Sequence, residues 1–317
     1  MKPTITVAYL FFFNLYSATA CGDHVNKMLD QSFPLIHHSL FNSDKFEDKQ
    51  FPDTQTQYDR NNPNHRGMNP WRTTTLRGQR KLALTYDDGP HPTRTPKLLD
   101  ILKSYNVKAT FFVMGELVEK YPKIVLRIVD EGHILASHDW RHDNSNSESL
   151  QVFKKGLKSS IEVVRKHYPG PHTYYRFPYG AYANGTGYHH LNAMRETSFD
   201  LFGENCINFA FWDIDTSDWV QGMEPKDIVE TLWANIFGGK AWRFKTIRRN
   251  GRIQYIKEPY TINSPTEGGV VLMHDIHERT VLATKRFLSE ASTQNIEFVL
   301  LKDVEEFEYQ NLLCQLK

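Results

Sequence analysis

Residues 82–90 read Leu82-Ala83-Leu84-Thr85-Tyr86-Asp87-Asp88-Gly89-Pro90. A short apolar run leads straight into two carboxylates and a Gly-Pro turn signal. A run of this length, closed by a turn, predicts a strand over 82–86 that is buried on both faces. Residues 95–104 follow at helical spacing, with Leu98, Leu99, Ile101 and Leu102 as the apolar positions. Residues 109–114 return to a strand pattern. Strand, helix and strand in that order predict a parallel pair joined by a crossover.

The alternation continues from there. Residues 134–137, 174–177, 208–212, 270–273 and 298–301 are further strand candidates. Helical runs are expected at 122–131, 149–167, 191–199, 225–237 and 279–292. The α/β pattern has no Gly-x-Gly-x-x-Gly fingerprint. An irregular (β/α) barrel of about seven strands is therefore expected in preference to a dinucleotide-binding sheet. No internal repeat is visible.

Composition narrows the function classes. The 317 residues carry 38 Lys+Arg against 37 Asp+Glu, a formal net charge of +1. A whole-protein nucleic-acid binder is usually strongly basic, so no nucleic-acid partner is expected. Hydrophobic residues at 40% fit a globular chain and exclude a multi-pass membrane protein. The 3 Cys are too few for a disulfide scaffold, and Cys21, Cys206 and Cys314 form no Cys-x-x-Cys pair. Aromatics reach 13%, a supply that serves cores and carbohydrate-facing surfaces alike.

The front of the chain reads as an export signal over residues 1–20: Lys2, an apolar run from Val7 to Tyr16, then Ala18-Thr19-Ala20 as a cleavage site. The run is short for a membrane span, although an uncleaved anchor is the alternative. Cys21 follows directly, where a lipoprotein would carry its lipid, but Ala18 stands where Leu is usual. The expected location is therefore exported: periplasmic, secreted or lipid-anchored, with membrane contact only through Cys21. Residues 21–79 are polar and aperiodic and read as a tether or an irregular wrap. Phe33, Phe41, Phe51, Tyr58 and Trp71 favour partial docking. Residues 80–317 form the expected catalytic domain.

Chemistry in a β/α barrel sits at the carboxyl ends of the strands. Five expected strand ends carry Asp87-Asp88, His138 with His142, Arg176 to Tyr179, Asp215, and His274. His138 and His142, four residues apart, can share one face of a helical turn. Two imidazoles and one carboxylate suit a divalent metal with an open position for water. A surface coincidence is the alternative for the pair alone, and the Asp-Asp dipeptide favours the metal. Neighbours on a strand point to opposite faces, so a turn at Gly89-Pro90 is expected to swing both Asp into one pocket. One carboxylate then binds metal while the other stays free as a base. His274 is a plausible proton donor.

These motifs resemble the polysaccharide deacetylases of carbohydrate esterase family 4, the NodB-homology domain. The similarity runs from residue 80 to about 305 and comprises five motifs in order: Thr85-Tyr86-Asp87-Asp88-Gly89-Pro90, His138-Asp139-Trp140-Arg141-His142, Arg176-Phe177-Pro178-Tyr179-Gly180, Asp215-Thr216-Ser217-Asp218-Trp219 and Leu272-Met273-His274. The resemblance implies Asp87 as catalytic base, Asp88, His138 and His142 as metal ligands, and Arg176 as the arginine that orients the base. It implies the Tyr179 N–H as an oxyanion donor, His274 as general acid and Asp215 as the carboxylate that orients His274. Trp219 and Leu272, with Pro178 in the third motif, are the implied substrate-contacting positions around the acetyl methyl. The implied cofactor is one divalent metal, Zn2+ first, with Co2+, Ni2+ and Mn2+ also suited. The implied partner is a glycan polymer, peptidoglycan first and a chitin-type oligosaccharide next.

The chain departs from the family pattern in places. Tyr86 replaces Phe. Asp139 replaces the Ser or Thr that usually follows the first His, and its charge bears on metal binding. An insertion at 238–267 carries Lys240, Arg243, Lys245, Arg248, Arg249, Arg252 and Lys257, interleaved with Trp242, Phe244, Tyr255 and Tyr260. Asn250-Gly251 within it signals a hairpin turn. A basic, aromatic hairpin suggests a clamp on an anionic glycan, with a solvated loop as the alternative. His189-His190 reads as a surface pair and His277 as a rim residue. Cys206 and Cys314 are left either as a disulfide or as free thiols. Competing functions are an acetylxylan esterase of the same fold, a glycan-binding protein without catalysis, and a non-haem iron oxygenase.

Overall fold

The computed structural model describes residue 73 and residues 75–170, 173–181, 190–203, 206–307 and 314–317. The expected export signal, Cys21 and nearly all of the lead-in lie outside these residues, as does His189. The end of the lead-in docks on the domain. Thr73 donates from its backbone N–H and its hydroxyl to Asp213, and Leu76 is buried.

The first strand, β1 (Lys81–Gly89), is followed by α1 (Arg94–Ser104), β2 (Thr110–Val113), α2 (Gly115–Lys120), α3 (Pro122–Asp130) and β3 (Ile134–Ser137). Next come α4 (Leu150–His167), β4 (Thr173–Tyr175), α5 (His190–Phe202), β5 (Ile207–Phe209), β6 (Ile214–Asp215) and α6 (Pro225–Phe237). The chain closes with β7 (Gly239–Arg249), β8 (Arg252–Ile262), β9 (Gly269–His274), α7 (Glu278–Ala291) and β10 (Glu297–Phe298). No described helix is long and apolar enough to cross a membrane.

Seven parallel strands run in the order β5-β4-β3-β2-β1-β9-β6, a curled and partly open barrel. The seventh place belongs to β6, which the sequence pattern did not suggest. The expected strand at 298–301 is instead the two-residue β10. It pairs only with the start of β1, and Leu301–Asp303 turns into a 3-10 helix. Two residues carry no periodicity, so β6 is defined by its partner β9 alone. The six-residue α2 is likewise too short to show a helical repeat.

Period-2 alternation sorts the sheet into two cores. Leu82, Leu84 and Tyr86 of β1 join Val271 and Met273 of β9 beneath α1, α6 and α7. Ala83 of β1, Phe112 of β2 and Leu272 of β9 join the other core, between the sheet, α4 and α5. By the same alternation Thr85, Asp87 and His274 face inward with Leu272. The register pairs Thr85 with Leu272 and Asp87 with His274. Cys206 and Cys314 form a disulfide with 5.6 Å between their Cα atoms, which ties the end of the chain to the segment before β5.

The insertion is a two-stranded antiparallel ribbon, β7 with β8, in register from Gly239–Ile262 to Arg249–Arg252. Asn250 and Gly251 both adopt positive φ, 51° and 72°, as a type I′ turn requires. The base of the ribbon packs on α6. There Trp242 donates its indole N–H to Glu230 and Lys257 pairs with the buried Asp227.

Candidate active site

Asp87 and Asp88 reach the same pocket through a β-bulge rather than through the turn expected at Gly89-Pro90. The β1–β2 register steps from Asp87–Phe112 to Gly89–Val113, so Asp88 is the extra residue. Its φ of 73° turns its carboxylate back to the inner face. Gly89 has a packing reason to be glycine. A Cβ there would lie 2.3 Å from a carboxylate oxygen of Asp275, which is fully buried. Gly89→Ala is therefore expected to lower stability by about 1–3 kcal/mol through overpacking. It should also weaken metal binding, because Asp88 is the neighbouring residue. Thermal unfolding and a zinc titration check both effects.

Asp88, His138 and His142 place one ligand atom each within 4.8 Å of one another, as a metal cluster requires. The Asp88 Oδ1 lies 3.3 Å from His138 Nε2 and 3.2 Å from His142 Nε2. This oxygen is buried and accepts no hydrogen bond, so a cation is the partner that its surroundings call for. His138 Nδ1 lies 2.9 Å from the carbonyl of Arg176, to which it donates. That bond leaves the Nε2 lone pair free to bind metal. His142 takes a φ of 63°, and its ring meets Tyr179 edge-on at 4.4 Å. Asp139 does not join the cluster. Its carboxylate is buried against Gly156 of α4 and accepts the Arg141 N–H.

Asp87 is held from behind. Arg176 donates to its Oδ1 at 2.7 Å, and also to Thr85, Ala210 and Phe211. The Arg176 guanidinium is fully buried, 4.0 Å above the Phe112 ring. With each of its nitrogens bonded, it has one available position, and Asp87 inherits that rigidity.

The carboxylate on His274 is Asp218, which corrects the expectation of Asp215. Asp218 Oδ1 lies 2.7 Å from His274 Nδ1, and its Oδ2 accepts the His274 backbone N–H and the Thr280 hydroxyl. Arg279 donates to the Asp218 carbonyl. Asp215 instead accepts the Ser217 N–H at 2.7 Å, so it braces the loop that presents Asp218. Burial alone would lower the His274 pKa. The negative charge of Asp218 and their hydrogen bond reverse this and, with Asp88 and Asp87 nearby, hold it at about 10. Burial raises Asp215 to about 6, with the charge of Asp218 adding to the effect.

A cavity of about 190 Å³ opens between these groups, lined by the metal trio, Asp87, Phe177, Tyr179, Trp212, Trp219, Tyr255, Leu272 and His274. Trp219 and Leu272 line this cavity, whereas Pro178 does not. Phe177, Trp212 and Tyr255 were not anticipated as wall residues, and Tyr255 arrives from the ribbon. Its ring lies 5.2 Å from Trp219, edge-on. His277 also stays outside the lining. His190 is not a surface residue: it is buried, and its Nε2 bonds the Ser145 carbonyl.

The polysaccharide deacetylase profile matches residues 75–199. A peptidoglycan-N-acetylglucosamine deacetylase of Listeria monocytogenes is 31% identical over 228 residues, covering 71% of this chain and 39% of that protein. A chitooligosaccharide deacetylase of Rhizobium leguminosarum is 33% identical over 144 residues, covering 45% of this chain and 58% of that protein. The crystal structure of the Bc1960 peptidoglycan N-acetylglucosamine deacetylase matches with a TM-score of 0.54 and 26% identity, over 73% of this chain and 90% of that one. The chain thus spans about two-fifths of the length of the Listeria relatives it matches. Shared sequence, shared fold and a metal cluster at the ends of the shared strands together mean that this chain belongs to the polysaccharide deacetylase family, carbohydrate esterase family 4.

Proposed function

We propose that the protein is an exported, metal-dependent deacetylase that removes N-acetyl groups from N-acetylglucosamine residues of a cell-envelope glycan, with peptidoglycan as the first substrate. The observation that carries this reading is that two held groups share one small cavity with a metal cluster. Asp87, fixed by Arg176, and His274, fixed by Asp218, line the cavity together with Asp88, His138 and His142. The chemistry is amide hydrolysis by a base and an acid on one acyl carbon.

A divalent metal held by Asp88, His138 and His142, Zn2+ in this reading, supplies a Lewis acid for the acetamide carbonyl and lowers the pKa of water. Asp87 accepts the proton of the attacking water, and Arg176 keeps its carboxylate aimed. The Tyr179 N–H donates to the carbonyl oxygen as negative charge develops on it. Trp219 and Leu272 hold the acetyl methyl. His274 gives its proton to the departing sugar amine, and acetate leaves. Asp218 stabilises the imidazolium that precedes this transfer.

The test is acetate release from peptidoglycan fragments and from chitooligosaccharides side by side, with metal content measured on the same sample. Release from neither by the zinc-loaded protein overturns the reading. Faster release from chitooligosaccharides moves the substrate to the neutral polymer. Chelation is expected to abolish release and added zinc to restore it. Because the folded state alone assembles the three ligands, zinc also raises the unfolding temperature. Free zinc one hundredfold above Kd should add about 2.7 kcal/mol to stability.

A further inference from the structure

We propose that the tip of the β7–β8 ribbon is a carboxylate-binding arm, which selects anionic glycan strands and sets their register against the cavity. The inference rests on the deacetylase reading for the cavity itself, and on the ribbon for its own observations.

The ribbon carries seven cations and one acid, Glu258, in a chain whose total charge is almost balanced. The cations fall into two groups. Lys240 pairs with Glu230, Arg243 and Lys245 both pair with Glu258, and Lys257 pairs with Asp227. These four serve the ribbon and its seat on α6. Arg248, Arg249 and Arg252, at the turn, have no acidic partner among the described residues, and all three are exposed.

Folding does not account for this second group. Arg249 and Arg252 stand directly opposite one another in the ladder. Like charges in that position destabilise a hairpin, and one opposite charge would have relieved it. The arrangement costs stability, so its use lies in what binds there.

The place of the arm says what that is. Thr246 pairs with Tyr255, and Tyr255 lines the cavity. Arg248 pairs with Ile253, two residues further out on the same face of the ribbon. Strand geometry puts that step at about 7 Å. A strand bound with one sugar in the cavity therefore passes Arg248 next. Around the metal trio the cavity is walled by Phe177, Trp212, Trp219 and Leu272, which suit an uncharged group, while the arm attracts an anionic one. Opposite preferences so close together fix register. The uncharged acetamide sugar sits in the cavity, and a carboxylate-bearing neighbour sits at the arm. The matching substrate class is a glycan that alternates N-acetylated sugars with acidic ones.

The experiment uses the full chain, zinc-loaded, as wild type and as the triple variant Arg248→Gln, Arg249→Gln, Arg252→Gln. The kcat/KM on soluble peptidoglycan fragments is expected to fall about tenfold, on the scale of three exposed ion pairs. On neutral chitooligosaccharides it should stay unchanged. The difference should vanish at 1 M salt, where the screening length is about 3 Å. Lys at all three positions should restore most of the rate. Equal losses on both substrates, or none on the anionic one, overturn the proposal. If the wild type releases acetate from neither, the deacetylase reading fails first. Co-sedimentation with intact sacculi then decides the arm by itself: weaker pelleting of the triple variant keeps it, and equal pelleting removes it.

Discussion

Asp87→Asn is expected to lower the rate of acetate release by about a thousandfold, within the range for loss of a positioned base, while the bound zinc stays at one equivalent. Asn has the same shape, and its carbonyl oxygen can still accept from Arg176 at the 2.7 Å position. The metal trio does not include Asp87, so metal content should not move. What disappears is the ability to take a proton from water. Stability should fall by about 3 kcal/mol, because the fully buried Arg176 guanidinium loses its counter-charge, so thermal unfolding is followed beside activity to show that the variant is folded at the assay temperature. Full activity in this variant would remove Asp87 from the mechanism. Loss of zinc along with activity would make it a ligand instead. Atomic absorption on the assayed sample separates the two outcomes.

The second large effect distinguishes two carboxylates three residues apart. Asp218→Asn is expected to reduce turnover on the order of a hundredfold or more, as loss of acid catalysis does. Asp215→Asn should cost much less, since Asp215 braces the loop through Ser217 and has no bond to His274. The pH profile carries the sign. His274 must be protonated to act, so activity falls as pH rises through its pKa. Asp218 holds that pKa up by its charge and its hydrogen bond. Removing the charge lowers it, and the alkaline limb of the Asp218→Asn profile should move to lower pH. The Asp215→Asn profile should keep its alkaline limb close to that of wild type. If the two variants behave the other way round, Asp215 is the orienting group, whatever the resting geometry.

The error over Asp215 has a physical cause. In Asp215-Thr216-Ser217-Asp218-Trp219 both carboxylates lie near the end of one short strand, and nothing in their spacing says which faces β9. The path of the loop decides it, and that path depends on a φ of 51° at Ser217 and on Thr280 and Arg279 of α7. The Asp-Asp pair illustrates the same point in another form. That both reach one pocket follows from their position at a strand end. That a bulge achieves it, with Asp275 packed against Gly89, is visible only in the register between β1 and β2.

Local chemistry was legible in the chain. Apolar runs placed six of the seven barrel strands, because a strand buried on both faces has no polar positions to obscure it. Asp87 and the metal trio stood out because each sits at the end of a strand or in the loop just after it, and strand ends can be read from the pattern. Long-range pairing was decided elsewhere. β6 exists through β9, Arg176 is aimed by four partners from distant segments, and Tyr255 reaches the cavity only because the ribbon lies against Trp219. The seven cations of the insertion are equal as letters. Only the fold seats four of them beside carboxylates and leaves three at the tip, because a charge is neutralised by what lies near it in space and not by what lies near it in the chain.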